Sequence, residues 1–294
     1  MPRRLLHLSD LHLNADAVPD EGVDADRSLQ LVLEACQAIP DINAVIVTGD
    51  IADDGSVPAY ERAHAALLDF ARGRGAALVM AVGNHDDRDA FSAVLGTGHF
   101  VVRDDQTAHG PEGVITACTR LDGWRVVTLD SLVPGKGFGR IGDDQLQWLI
   151  GLLDAEPLTP TVLALHHPPI DLGVEIQQRF RLESSDRLAA AVQHGTVAAI
   201  LCGHFHQQIS ASLAGVPIWV TPGVLNRIDH LTVPLGQERA VTGGGATIVD
   251  LTDPGAPTFA TVAARDPQAG REIYTMTSDE VAEMLDRSGL PAGR

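Results

Sequence analysis

The chain has 294 residues, enough for one large domain or two small ones, and its 45% hydrophobic content can fill a substantial core. A formal charge of −18, with no basic cluster longer than Arg3-Arg4, repels polyanions and argues against extended nucleic acid as a partner. Three cysteines, Cys36, Cys118 and Cys202, are odd in number and far apart, which argues against a disulfide framework and fits a reducing compartment.

The N-terminus has only a brief apolar stretch before Ser9-Asp10, neither a signal peptide nor a membrane span. A soluble cytoplasmic protein with no membrane partner is therefore expected. Apolar, β-rich runs then follow in order at Arg4–Leu8, Ala44–Val47, Ala77–Val82, Val126–Leu129, Thr161–Leu165 and Val197–Leu201. Continuous runs of this kind fit strands buried on both faces. Between them lie helical patterns. Ser28–Ile39 puts Leu29, Val32, Leu33 and Cys36 on one side, and Pro58–Arg72 starts on proline and stops at Gly73. Asp144–Leu153 gathers Leu146, Leu149, Ile150 and Leu153. Strand–helix alternation predicts an α/β fold with crossovers. From Gln207 the pattern changes. Gln207–Leu213, Ile218–Thr221, Ala240–Leu251 and Pro257–Ala263 read as short strands of antiparallel sheet. Thr277–Ser288 reads as a helix with a Thr277/Glu280 capping box and a Val281, Met284, Leu285 stripe. The expected division is a catalytic domain over 1–230 and an extension over 231–294 that packs on it.

Chemistry-bearing side chains sit just past the strand runs, where ligands of such sheets collect. Asp10 and His12 lie in Ser9-Asp-Leu-His-Leu13, Asp50 in Thr48-Gly-Asp50, and Asn84 in Gly83-Asn-His-Asp86. His166 lies in Leu165-His-His-Pro168, and His204 and His206 in Gly203-His-Phe-His206. Two carboxylates, one amide and four imidazoles are about what two divalent metals with one shared carboxylate need. Paired metals about 3.5–4 Å apart typically hydrolyse phosphoesters.

In this order the blocks D-x-H, G-D, G-N-H-D, H-x-P and G-H-x-H resemble the calcineurin-like metallophosphoesterase family. Within it the chain is most similar to bacterial class III cyclic-nucleotide phosphodiesterases and related glycerophosphodiesterases. That likeness extends to Leu129-Asp130-Ser131 and the Gln145–Leu149 helix. The resemblance implies two packed mixed β-sheets flanked by helices, a four-layer αββα arrangement. It implies one metal on Asp10, His12, Asp50 and His206, and a second on Asp50, Asn84, His166 and His204, with Asp50 bridging. Of the His166-His167 pair, the family pattern selects the first. Position 53, where an iron–tyrosinate site places tyrosine, is Asp53 here, so that site is not expected.

Two M²⁺ ions, two carboxylates and one hydroxide leave a core charge of about +1, which attracts phosphate in spite of the acidic surface. The expected chemistry is attack of a metal-held hydroxide on phosphorus, with His85 as general acid and Asp86 orienting it. Mixed nitrogen and oxygen donors without thiolate point to Mn²⁺, Fe²⁺ or Zn²⁺. Asp53 reads as a loop or capping residue, and Cys202 and His7 as core. The Asp16–Asp26 stretch reads as a solvated loop. Lys136 and Arg140 of the glycine-rich 135–140 segment, and Asn226, Arg227 and His230, are secondary candidates for substrate contact. The leading substrate is a small soluble 3′,5′-cyclic nucleotide. Glycerophosphodiesters, 2′,3′-cyclic nucleotides and phosphomonoesters are alternatives, as is a non-catalytic interaction scaffold. Relatives of this kind suggest a homodimer, for which the apolar C-terminal helix offers a face.

Overall fold

The computed structural model describes residues 3–16, 22–100, 107–183 and 185–291. It opens with β1 (Arg4–Leu8), α1 (Ala25–Ala35), β2 (Ile42–Thr48), α2 (Val57–Arg72), β3 (Ala77–Ala81), α3 (Arg88–Leu95) and β4 (His99–Phe100). Next come β5 (Thr107–His109), β6 (Ala117–Leu121), β7 (Trp124–Thr128), α4 (Asp143–Ala155), β8 (Thr161–Ala164), α5 (Glu175–Phe180), α6 (Ser185–Ala191) and β9 (Val197–Cys202). The remainder is β10 (Ile209–Leu213), β11 (Val216–Val220), β12 (Asn226–Asp229), β13 (Glu238–Thr242), β14 (Gly245–Asp250), β15 (Thr258–Ala263), β16 (Glu272–Met276) and α7 (Ser278–Ser288).

Two mixed sheets face each other. The first has the order β15-β14-β1-β2-β3-β4 and the second β10-β11-β9-β8-β7-β6-β5. β1, β2 and β3 are mutually parallel, as are β7, β8, β9 and β11. Leu5, Ile46, Val79, Val126, Val162 and Leu201 fill the space between the sheets. The opposite face of the first sheet is covered by α1, α2 and α3 through Leu29, Val32, Leu67 and Phe91. That of the second is covered by α4 and α6 through Leu146, Leu149, Leu153 and Leu188. The expected four-layer αββα arrangement is therefore the one observed. The central strands lie between apolar layers on both faces, which is why their sequences lack alternation.

Three features depart from the sequence reading. The apolar stretch Ala240–Leu251 divides at Gly243-Gly244, and its halves enter different sheets. β13 joins a small third sheet, β12-β13-β16, while β14 pairs antiparallel with β1. Any side chain at Gly244 would collide with the Val224 carbonyl, so the chain passes there only as glycine. Next, β11 pairs parallel with β9, so the second half is not purely antiparallel. The capping box of α7 is present, but its stripe is not a free face. Val281 and Leu285 are 3% and 2% exposed against Ile176 of α5 in the same chain, so the surface expected to serve a dimer is already covered. Residues 17–21 of the Asp16–Asp26 stretch, read as a solvated loop, lie outside the described residues. Among the described residues no helix is long and apolar enough to cross a membrane.

Candidate metal centre

The loops after β1, β2, β3, β8 and β9 converge at one edge of the two sheets and bring all seven candidate donors together. On one side, Asp10, His12 and His206 gather their ligand atoms. His206 Nε2 is 3.4 Å from Asp10 Oδ1 and 3.1 Å from His12 Nε2, which is 3.7 Å from Asp50 Oδ2. On the other side, His166 Nε2 is 3.1 Å from each of Asp50 Oδ2, Asn84 Oδ1 and His204 Nδ1. Asp50 Oδ2 thus borders both groups. Of the two adjacent histidines, His166 turns Nε2 into this cluster, whereas His167 places Nδ1 2.8 Å from Ser131 Oγ.

Hydrogen bonds behind the rings fix which nitrogen faces inward. His12 Nδ1 is 2.7 Å from Asp53 Oδ1, His206 Nδ1 2.5 Å from Asn226 Oδ1, and His166 Nδ1 2.7 Å from the Thr48 carbonyl. Each Nδ1–H donates outward, so in the neutral ring each Nε2 carries a lone pair pointed inward. Two such lone pairs meeting at 3.1 Å repel, and a cation between them removes the repulsion. The donor set and its tautomers therefore fit a metal pair.

The backbone is strained to achieve this. Asp10, His12, Asp50, His204 and His206 have φ between 48° and 72°. A left-handed conformation costs an L-residue about 1–2 kcal/mol, and such strain gathers at functional sites. Glycine makes room beside them: a Cβ on Gly49 would stand 2.7 Å from the Gly83 nitrogen and 2.8 Å from His166 Nδ1.

Electrostatics follow from this packing. Burial pushes the Asp50 carboxyl up, but the His166 and His85 charges pull it well below the ordinary carboxylate range. Asp10 behaves likewise, with His206 supplying the main counter-charge. Burial lowers His166, yet Asp50 outweighs burial and raises it to about 9. For His204 burial prevails, reinforced by His166, and the ring falls to about 3. Asp86 is pushed up to about 7 by burial and by the Asp50 charge.

Two assignments around His85 change. Asp86, expected to orient His85, accepts instead from the Ile51, Ala52 and Gly83 amides at 3.1, 3.0 and 2.8 Å, and from Tyr60 Oη at 3.0 Å. It ties the loops carrying Asp50 and Asn84 together. Asp53, expected to be a loop or capping residue, holds His85 Nδ1 at 3.1 Å and His12 Nδ1 at 2.7 Å with one oxygen. The His85 amide donates to Asp50 Oδ1 at 2.9 Å. Asn226, behind His206, is the other supporting residue to which sequence gave only a secondary place.

A cavity of about 550 Å³ opens over the cluster, bounded by His12, Asp50, Asn84, His85, His204 and His206. Lys136, Asn226 and His230 also line it. Arg140 and Arg227 do not appear among its walls, and Arg140 is engaged by Glu183 at 2.5 Å.

Comparison with known proteins agrees with this geometry. Residues 3–208 match a family model described as calcineurin-like phosphoesterase. A "Probable cyclic nucleotide phosphodiesterase" of Rhodococcus erythropolis is 38% identical over 253 residues, covering 85% of this chain and 80% of its own length. A cAMP/cGMP dual specificity phosphodiesterase of Mycobacterium tuberculosis is 35% identical over 84% of this chain and 75% of its own. A solved protein of Thermus thermophilus is similar in fold alone, with TM-score 0.52 and 11% identity over 90% of this chain and 100% of its own. With a family match over most of its length and relatives at this level of identity, the chain belongs to the calcineurin-like phosphoesterase family.

Proposed function

We propose that the chain is a dinuclear metal-dependent phosphodiesterase of small soluble diesters, 3′,5′-cyclic nucleotides first among them. The observation that carries the reading is the shared position of Asp50 between two converging donor groups, beneath a cavity of nucleotide size. The names of the two relatives above support the cyclic-nucleotide choice.

Asp10, His12, Asp50 and His206 would hold one cation, and Asp50, Asn84, His166 and His204 the other, with Mn²⁺, Fe²⁺ or Zn²⁺ suited to these donors. Bound divalent cations supply positive charge for phosphate oxygens and acidify water near neutral pH. The protein's own groups do the rest. Asp53, Asn226 and the Thr48 carbonyl hold the imidazoles in the ligating tautomer. Asp53 also occupies His85 Nδ1, which leaves Nε2 as the ring atom to meet the leaving oxygen. Asp86 maintains the loop geometry on which both depend.

The test is turnover by metal-loaded protein of 3′,5′-cyclic AMP and GMP, 2′,3′-cyclic AMP, a glycerophosphodiester and p-nitrophenyl phosphate. Hydrolysis of the 3′,5′-cyclic nucleotides with the highest kcat/KM is expected. Turnover of the monoester alone defeats the phosphodiesterase reading, and inertness toward all of them revives the interaction scaffold.

A further inference from the structure

Away from Asp50 the cavity reaches a wall that the hydrolytic step leaves unused, built from the third sheet. Glu238 on β13, His230 just after β12 and Tyr274 on β16 line it, with Phe180 of α5 and Met284 of α7 also bordering the cavity. Glu238 is only 5% exposed and His230 7%. A buried carboxylate is costly unless donors meet it. Tyr274 Oη donates to Glu238 Oε1 at 2.8 Å, but His230 Nδ1 lies 3.6 Å from Oε2, beyond hydrogen-bond range. His230 Nδ1 has no hydrogen-bond partner among the described residues. A carboxylate oxygen and an imidazole nitrogen therefore stand side by side at the cavity wall, amid apolar neighbours such as Ile228 and Ile273.

Resting on the cyclic-nucleotide reading above, we propose that Glu238 and His230 form the subsite that reads the purine base of the substrate. Glu238 accepts from the amino or ring N–H edge of the base, and His230 Nδ1 pairs with the adjacent ring position. The apolar side chains take the faces of the heterocycle. A glycerol or ethanolamine group has no flat apolar face to place there. A diester without a base leaves His230 Nδ1 unpaired and Glu238 with only the Tyr274 hydrogen bond, the condition that produces strong discrimination at a buried polar site.

The experiment compares kcat/KM for cyclic AMP and cyclic GMP with that for bis(p-nitrophenyl) phosphate, a diester without a base. It uses the metal-loaded full chain as wild type, Glu238→Gln and His230→Ala, with metal content measured for each. The ratio of purine diester to base-free diester is expected to fall by about tenfold or more in both variants, chiefly through KM. Metal content is expected to stay constant. If Glu238→Gln fails to fold, Tyr274→Phe, which removes one donor at nearly constant volume, is expected to shift the same ratio. A ratio that holds within about twofold, or equal loss on both substrates, overturns the subsite while leaving the cyclic-nucleotide reading intact. A wild-type protein that hydrolyses bis(p-nitrophenyl) phosphate but no cyclic nucleotide overturns both.

Discussion

A single Asp53 oxygen holds His12 and His85, rings with different duties. Replacing it with asparagine is expected to cut turnover about 10–100-fold and to weaken metal binding, the usual loss when a residue behind a ligating histidine changes. Metal content and kcat, measured together, check this. Asp86→Asn acts differently, because its carboxylate accepts from three backbone amides and one phenol. It is expected to cost about 1–3 kcal/mol of stability, read as a lower urea midpoint. Asn84→Ala and His206→Ala are expected to lose both metal and activity. His85→Ala is expected to lose about 10²–10⁴-fold in turnover with both metals retained, and loss of metal in that variant would remove its assigned role. Sequence distinguished the donors because each follows a strand end in a short block. It did not distinguish Asp53, whose two ring partners are 41 and 32 residues away and whose local pattern is that of an ordinary loop.

Among the elements, sequence located β1, β2, β3, β7, β8 and β9 as continuous apolar runs, because both faces are covered, and β10, β11, β15 and the undivided β13–β14 stretch as short strands between turn signals. β4, β5, β12 and β16 are short or mostly half-exposed strands, and their mixed composition gave no such signal. Two connections carry predictions. The β10–β11 hairpin turns through Ala214 at φ 49° and Gly215 at φ 85°, a turn that favours asparagine or glycine first. Ala214→Asn is expected to stabilise by about 1 kcal/mol, a rise in Tm of roughly 2 °C in a scan of the intact chain. The Thr277 side chain caps α7, which lends Met284 to the cavity wall. Thr277→Ala is expected to cost about 1 kcal/mol and to raise KM more than it lowers kcat.

For the molecule as a whole, His7 is one internal source of acid sensitivity. His7 is fully buried between the sheets, with Nε2 2.9 Å from Thr48 Oγ1. Burial pushes its pKa down to about 3 in spite of Asp10, against about 6.5 in the unfolded chain. The unfolded state therefore binds the proton first. The stability contribution is complete above about pH 6.5 and drains away as pH falls toward 3, by at most about 1.4 kcal/mol per pH unit. Urea unfolding at pH 7.5 and pH 5 is expected to show a loss of stability on acidification, and His7→Gln to reduce that loss.

The strand carrying Asp10 toward the cluster lies between β2 and β14, and β14 begins at residue 245. As the polypeptide leaves the ribosome, β1 keeps one unpaired border until β14 has emerged. A polypeptide that stops between residues 206 and 245 thus retains every candidate donor yet presents an open-edged strand prone to aggregate.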